Sequence, residues 1–255
     1  MFYIILTSFF FLLIMIIAGY QKLTLLDYPG KLATTVFAVG CSFRCPFCHN
    51  PELVVGTGVE PISASAEKEF FAFLRKRKGK LEGVCITGGE PTIQPDIIEF
   101  IAKIRKMGFF VKLDTNGTRP DVLKKVIDEK LVDYIAMDIK NKPKKYLATA
   151  GYGKLAGRAY GIAVLERVKL SVDLIMNSRI PYEFRTTAVP GIHTEKDFLS
   201  IAKWIKGAPS YWLQRYQETK ILDPKLKKKT NGKKLDLEKI MSQISKNFGK
   251  MGVRG

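Results

Sequence analysis

Cysteine and histidine are scarce in this sequence. The 255 residues include four cysteines and two histidines. Three of the cysteines lie in one short stretch, Cys41-Ser-Phe-Arg-Cys45-Pro-Phe-Cys48. So few thiols, spaced in this way, do not form a disulfide framework, and in a chain of this length they indicate metal-binding or redox-active thiols in a reducing compartment.

Acidic residues are also few, with 24 Asp and Glu against 42 Lys and Arg, so the formal net charge is +18. A strongly basic surface suggests nucleic acid, an acidic protein or an anionic small molecule as partner. The excess is concentrated in residues 75–80 and 220–254, which predict a helix end and a solvated tail. Only one aromatic residue, Phe248, stands among the lysines of the tail, a pattern that does not favour nucleic acid.

Charge is absent from Phe2 to Ala18, an almost wholly apolar stretch. Its length is at the lower limit of a membrane span, which needs about 17–25 residues. A secretory signal is less favoured, because no basic region precedes the stretch. The stretch is therefore interpreted as a membrane anchor or as a gene-model extension upstream of Met15, with a signal or a buried helix as the remaining alternatives. In either of the first two cases, the main domain is expected in the cytoplasm.

Further along the chain, short apolar segments alternate with longer amphipathic ones, which favours parallel βαβ units in an open sheet or in a complete or partial barrel. Strands are predicted over residues 32–39, 83–87, 109–114, 133–140, 169–176, 182–189 and 211–216. Helices are predicted from Ser63 or Ser65 to about Gly79, and over residues 95–107, 120–129, 158–168 and 195–205.

Polar groups follow several of these strands, at the edge where α/β folds build their sites. They are Gly88-Gly89-Glu90, Asp114-Thr115-Asn116, Asp138-Ile139-Lys140 and His193. Each also has an ordinary interpretation, because glycine pairs make turns, most lysines are on the surface and a single loop histidine is often incidental. Cys85 lies inside a predicted strand and is expected to be buried core.

The three clustered cysteines allow more than one kind of site. Iron–sulfur clusters usually take four cysteine ligands, so a three-cysteine loop predicts an iron that is open to another ligand. Cys45-Pro-Phe-Cys48 alone resembles a thiol–disulfide exchange pair. A zinc site could also recruit His49, although adjacent side chains diverge in an extended loop. The third thiol, Cys41, favours the cluster over a simple dithiol.

Together, the C-x3-C-x2-C loop and Gly88-Gly89-Glu90-Pro91 resemble the radical S-adenosylmethionine superfamily. The similarity extends to Asp27-Tyr-Pro-Gly30, Cys48-His-Asn-Pro-Glu52, Asp114-Thr-Asn-Gly117 and Val189-Pro-Gly191. In detail the chain is most similar to activating enzymes of glycyl-radical enzymes, above all those of anaerobic ribonucleoside-triphosphate reductase. The resemblance covers residues 19–217, so residues 1–18 and the lysine-rich tail, residues 218–255, are treated as separate segments.

The resemblance implies a partial (β/α)6 TIM-like barrel with a [4Fe–4S] cluster and S-adenosylmethionine as cofactors. It also implies a role for each matched residue. The cluster would be held by Cys41, Cys45 and Cys48. The amino group of the methionine part of S-adenosylmethionine would contact Gly88, Gly89 and Glu90, its carboxylate would contact Lys140, the ribose would lie near Asn116 and the adenine near His193. A monovalent cation would be held by Asp114, Thr115, the Met137 carbonyl and Asp138.

The implied reaction needs one electron from a donor such as flavodoxin or ferredoxin. Reductive cleavage of S-adenosylmethionine would give a 5′-deoxyadenosyl radical, which takes hydrogen from a glycine of a partner enzyme. Anaerobic ribonucleotide reductase is the expected partner, and a radical enzyme acting on another protein or on a small molecule is the alternative. The sequence has no cysteine after Cys85, which argues against an auxiliary cluster.

Overall fold

A computed structural model describes residues 15–55, 64–152 and 158–255. Its eight strands form one sheet in which each strand pairs with the next along the chain. The first two strands are antiparallel, and all later pairings are parallel. Helices cover the outer face, so the sheet forms a partial TIM-like barrel. This confirms the predicted fold class.

The elements alternate along the chain from the second strand onward. The strands are β1 (Ile17–Thr24), β2 (Ala33–Ala38), β3 (Gly83–Gly88), β4 (Phe110–Thr115), β5 (Tyr134–Asp138), β6 (Tyr182–Ala188), β7 (Ser210–Arg215) and β8 (Lys250–Arg254). The helices are α1 (Pro51–Val55), α2 (Ala64–Arg77), α3 (Ile97–Lys106), α4 (Pro120–Asp128), α5 (Pro143–Thr149), α6 (Arg158–Met176), α7 (Glu195–Trp204), α8 (Leu226–Thr230) and α9 (Leu237–Ile244).

The two faces of the sheet differ in polarity. On β4, Val111 and Leu113 are buried in the apolar core under the helices. Lys112 and Asp114 have the opposite parity and therefore share the inner face with Cys85, which is paired with Lys112. The inner face is thus polar, and it leads towards the carboxyl ends of the strands.

The prediction of a helix over residues 158–168 followed by a strand over 169–176 is wrong, because α6 is one helix through Met176. Val164, Val168 and Val172 are all 2% exposed or less and recur at intervals of four residues. That spacing places them on one helical face, which packs against α4. β-branched residues also have a high propensity for strands, which explains why the sequence predicted a strand at the end of α6.

The prediction of a solvated tail is wrong for residues 237–254, which form α9 and β8. In α9, Leu237, Ile240 and Ile244 are at most 3% exposed, and β8 extends the sheet beside β7. The Arg254 guanidinium donates to the Glu183 carboxylate at 2.8 and 2.9 Å. These apolar positions are three and four residues apart, and the lysines elsewhere in residues 220–250 conceal this amphipathic spacing in the composition of the tail.

The apolar segment at the amino terminus is described only from Met15 onward. Met15 is 2% exposed and Ile17 is 1% exposed, and β1 already begins at Ile17. The last residues of the predicted anchor therefore belong to the sheet, while residues 1–14 lie outside the described part of the chain. Within residues 15–55, 64–152 and 158–255, every helix is too short or too polar to cross a bilayer.

Candidate active site

A cavity of about 280 Å³ opens at the carboxyl ends of the strands, between the cysteine loop and the ends of β3 to β7. It brings together ten of the thirteen residues predicted from the sequence. Those ten are Cys41, Cys45, Cys48, Gly88, Gly89, Asp114, Thr115, Asn116, Asp138 and Lys140. The other three, Glu90, Met137 and His193, do not line the cavity.

The three thiols of the loop face this cavity and are all free. Burial raises the pKa of Cys41 to about 11 and that of Cys45 to about 12, and it also raises the pKa of Cys48. Thiolates in such a setting need a nearby positive charge, which bound iron supplies. The donor set therefore fits a cluster held by three cysteines.

A single metal ion fits these residues less well. Within the described parts of the chain, no three His, Cys, Asp or Glu side chains converge closely enough to share one ion. In a [4Fe–4S] cluster each thiolate binds a different iron, so the sulfurs lie farther apart than the ligands of one zinc ion.

The two glycines of the Gly-Gly-Glu-Pro turn allow β3 to end directly against the cysteine loop. The Gly89 N–H donates to the Ala38 carbonyl at 2.9 Å, and the Glu90 N–H donates to the Gly40 carbonyl at 2.8 Å. A Cβ atom would lie 2.4 Å from the Ala38 nitrogen at Gly88, and 2.0 Å from the Gly40 oxygen at Gly89. Gly88 also has a φ of +116°, which favours glycine.

The side chain of Glu90 is turned away from the cavity and is fully buried. Its carboxylate accepts hydrogen bonds from the Thr115 hydroxyl at 2.8 Å, the Asn116 N–H at 2.6 Å and the Thr92 N–H at 3.1 Å. The expected contact between this carboxylate and an amino group is therefore not supported. Glu90 instead joins the turn after β3 to the turn after β4, and burial raises its pKa.

Beyond these turns, two aspartates form an ionic network with Arg185. The guanidinium donates to Asp114 at 3.0 Å through one terminal nitrogen and to Asp138 at 2.9 Å through Nε. Lys112 donates to Asp114, and Lys140 donates to Asp138 at 2.9 Å. Burial alone would raise the pKa of Asp138, but Arg185 and Lys140 outweigh it and hold that pKa well below its usual range.

This network does not fit the predicted monovalent cation. Three cationic side chains already surround the two carboxylates, so the network carries one positive charge in excess. The Thr115 hydroxyl is already bonded to Glu90. A further cation would have to displace a side chain that already neutralises the carboxylates.

His193 does not reach the cavity, contrary to its expected place beside the adenine. Its Nδ1 accepts the Val189 N–H at 3.1 Å, so the ring carries its proton on Nε2, which donates to the Lys140 carbonyl at 2.8 Å. Burial lowers the pKa of the ring and keeps it neutral. His193 thus fixes the backbone at Lys140 and helps to position that residue without lining the cavity itself.

Sequence reasoning gave no role to several polar residues that line the cavity, among them Arg185, Thr187 and Gln214. A signal for Arg185 was present, because it stands within the predicted strand 182–189. A charged side chain inside a buried strand requires partners of opposite charge.

A sequence model of the radical SAM superfamily matches residues 35–205, which is more than half of the chain. The chain belongs to the radical SAM superfamily. Members use a [4Fe–4S] cluster and S-adenosylmethionine, and the cysteine loop and the cavity fit these two cofactors. The chain is therefore a radical SAM enzyme.

Two curated relatives carry names of activating enzymes. A protein of Methanocaldococcus jannaschii, named as a candidate glycyl-radical enzyme activating enzyme, is 32% identical over 238 residues, which cover 91% of this chain and 92% of the relative. The pyruvate formate-lyase-activating enzyme of Listeria monocytogenes is 35% identical over 130 residues, which cover 48% of this chain and 52% of that enzyme.

Among solved structures, SuiB of Streptococcus suis bound to S-adenosylmethionine superposes with a TM-score of 0.56 at 15% identity. The superposition covers 85% of this chain and 48% of that chain, so this protein spans about half of SuiB. At this identity the likeness concerns the fold alone.

Proposed function

We propose that this chain is an activating enzyme that installs a radical on a glycine of a partner enzyme, and that the partner is an anaerobic ribonucleoside-triphosphate reductase. The observation that carries the proposal is the similarity to the Methanocaldococcus relative, which extends over nine tenths of both chains. The motifs Cys48-His-Asn-Pro-Glu52 and Asp114-Thr-Asn-Gly117 support the choice of the reductase as partner.

When bound, the cluster and S-adenosylmethionine supply one-electron cleavage of a sulfur–carbon bond, and with it the ability to remove hydrogen from carbon. The protein's part is to hold, orient and shield these groups. Cys41, Cys45 and Cys48 would hold the cluster beside the cavity that they line. Gly88 and Gly89 line the cavity with their backbone, and we assign the methionine end of S-adenosylmethionine to this wall.

The charged network gives the cavity a preferred site for a carboxylate. Lys140 lies in the cavity wall, and its charge is fixed, because Asp138 raises its pKa despite the burial that opposes this. Lys140, Arg185 and Lys112 together outnumber the carboxylates of Asp114 and Asp138 by one positive charge. We assign the methionine carboxylate to this position, where a charge-assisted hydrogen bond can form.

On the side of β4, Asn116 is held ready for a polar ligand. Its side-chain nitrogen donates to the Ser42 hydroxyl at 3.0 Å, and its side-chain oxygen accepts the Thr118 N–H at 3.0 Å. The amide therefore has a fixed orientation at the cavity wall. We assign the ribose hydroxyls to this side of the cavity.

The test is radical transfer to the partner. The reconstituted protein, S-adenosylmethionine, a reductant and the reductase from the same genome are incubated without oxygen, and the glycyl radical is measured by electron paramagnetic resonance. A radical doublet is expected, and it should be lost when the radical glycine of the reductase is replaced by alanine. A doublet on pyruvate formate-lyase alone would contradict the choice of partner, whereas no doublet on either enzyme would overturn the activase function.

A further inference from the structure

A group of exposed lysines lies beside the cysteine loop, on the segment that connects β7 to α9. We call it the lysine patch. Its members are Lys225, Lys227, Lys228, Lys229, Lys233 and Lys234. They surround the short helix α8, and the proposed chemistry assigns them no task.

The backbone of this segment is attached directly to the cysteine loop. The Leu222 N–H donates to the Cys48 carbonyl at 3.1 Å, and the Asp223 N–H donates to the Pro46 carbonyl at 3.0 Å. Ile221 and Leu226, which are 8% and 2% exposed, anchor the segment in the core. The segment that carries the lysine patch is therefore attached to the loop that contains the three cysteines.

Within the described residues, the ammonium groups of the patch have no ion-pair partner. None of the six lies within ion-pairing distance of a described carboxylate. The carboxylates of the same segment accept other hydrogen bonds, since Asp223 accepts the Lys225 N–H at 3.0 Å, Glu218 accepts the Thr230 hydroxyl and Asp236 accepts the Lys239 N–H at 2.9 Å. The patch thus presents a fixed basic surface to solvent.

We propose that the lysine patch is the docking surface for an acidic one-electron carrier protein that reduces the cluster. This inference rests on the proposed function, which requires one electron from outside for each cleavage. The carrier loses one electron and the cluster gains it, passing from the 2+ to the 1+ state, and no proton or group is transferred. Complementary charge raises the rate of encounter and fixes the orientation of such complexes.

The location of the patch favours an electron carrier over a nucleic acid. The carrier's redox group would come to rest against the loop that carries the cluster thiols. Nucleic-acid surfaces usually add aromatic side chains that stack on bases, and residues 217–234 contain none.

The chain offers a matched control at the opposite edge of the sheet. Residues 75–80 form a second exposed basic cluster at the end of α2, just before β3 begins. Parallel strands start at this edge, whereas the cysteine loop lies at the other one. Removing three positive charges from residues 75–80 changes the net charge of the protein as much as removing three from the lysine patch, but it leaves the lysine patch intact.

The experiment compares two triple variants of the reconstituted enzyme, K227Q/K228Q/K229Q and K76Q/R77Q/K78Q, with an acidic flavodoxin as the probe. The Kd for flavodoxin is measured by calorimetry at low and high salt. The patch variant should bind about tenfold more weakly and show a flatter salt dependence, as expected for the loss of steering charges. The control variant should stay within about twofold of the wild type.

Cleavage of S-adenosylmethionine gives the second readout. With dithionite as reductant, both variants should match the wild type, whereas flavodoxin-driven cleavage should fall about tenfold in the patch variant alone. Equal flavodoxin affinity in the two variants would overturn the proposal, and so would a loss of oligonucleotide binding with flavodoxin binding unchanged. If dithionite gives no cleavage in the wild type, the proposed function fails, and the Kd comparison still decides the docking surface.

Discussion

The cavity has two walls that are built on different physical principles. At the ends of β3 and β4, the wall consists of glycine backbone and of Thr115 and Asn116, which donate hydrogen bonds to the buried Glu90 carboxylate behind the wall. At the ends of β5 and β6, the wall consists of Asp138, Lys140 and Arg185, which are joined by ion pairs.

The two walls therefore have different tasks, since the first sets the shape of the site and the second sets its charge. The first wall lets two backbone segments approach within hydrogen-bonding distance of the cysteine loop and therefore fixes where the cluster lies. The second wall sets the electrostatic potential in the cavity and therefore fixes how a charged cofactor is oriented. Variants of the first wall should lower the stability of the loop, whereas variants of the second should change stability or ligand affinity according to the charge removed.

The largest effect is expected for Arg185→Gln. Arg185 is 13% exposed and donates a charge-assisted hydrogen bond to each of two carboxylates, so its replacement removes both bonds, although Lys112 and Lys140 still neutralise Asp114 and Asp138. The loss should lower the free energy of unfolding in urea by about 3–5 kcal/mol. The control is Arg215→Gln, which removes an exposed pair with Glu238 and should cost less than about 1 kcal/mol. Equal losses in the two variants would show that the charged wall is not the coupled network described.

In the first wall, Gly88→Ala should cost about 3 kcal/mol, because it combines a left-handed φ with a collision against the backbone of Ala38. Gly108→Ala is the matched control, since its φ of +93° is also left-handed but no atom lies within 4 Å of the added Cβ. It should cost about 1 kcal/mol. Urea unfolding measures both, and a Gly88 variant no less stable than the control would contradict the close approach.

A smaller effect is expected when the cavity charge is removed by Lys140→Met. The loss of one charge-assisted hydrogen bond should weaken S-adenosylmethionine binding about tenfold or more, as measured by equilibrium dialysis. Lys142→Met is the control, because Lys142 pairs with Asp197, which keeps Lys145 as a second partner. Unchanged affinity in the Lys140 variant would remove this residue from the carboxylate site.

The smallest effect, essentially none, is expected when potassium is replaced by tetramethylammonium at equal ionic strength. The carboxylates of Asp114 and Asp138 already have cationic partners, so neither thermal stability nor affinity for S-adenosylmethionine should depend on a small monovalent cation. A clear fall in thermal stability or in affinity for S-adenosylmethionine would contradict this expectation and support the cation site that the resemblance implied.

Patterns in the sequence predicted most of the scaffold, because the βα units carry strong local signals. The cysteine loop follows β2, and the polar turns follow β3, β4 and β5, as the position of sites in such folds requires. The cavity lining was predicted well for the same reason, since strand ends bring distant turns together.

The orientation of side chains could not be predicted in the same way. Glu90 and Lys140 both follow strands, yet only Lys140 faces the cavity, because the partners of Glu90 come from the next turn along the barrel. His193 is likewise held by backbone groups that are adjacent only in the folded chain. The helix α9 was missed because lysines in the rest of residues 220–254 dominate the composition of the tail, although α9 itself has one lysine.

The central claim is that three of the four cysteines hold the cluster and that Cys85 does not. Cys85 is fully buried in β3, with its sulfur 3.7 Å from the Lys112 ammonium nitrogen. The direct test compares Cys48→Ser with Cys85→Ser after anaerobic reconstitution, by the iron bound per chain and the 5′-deoxyadenosine formed with dithionite and S-adenosylmethionine. The account predicts that the Cys48 variant loses the product while the Cys85 variant retains both iron and product. Retained cleavage without Cys48, or its loss without Cys85, would contradict the account.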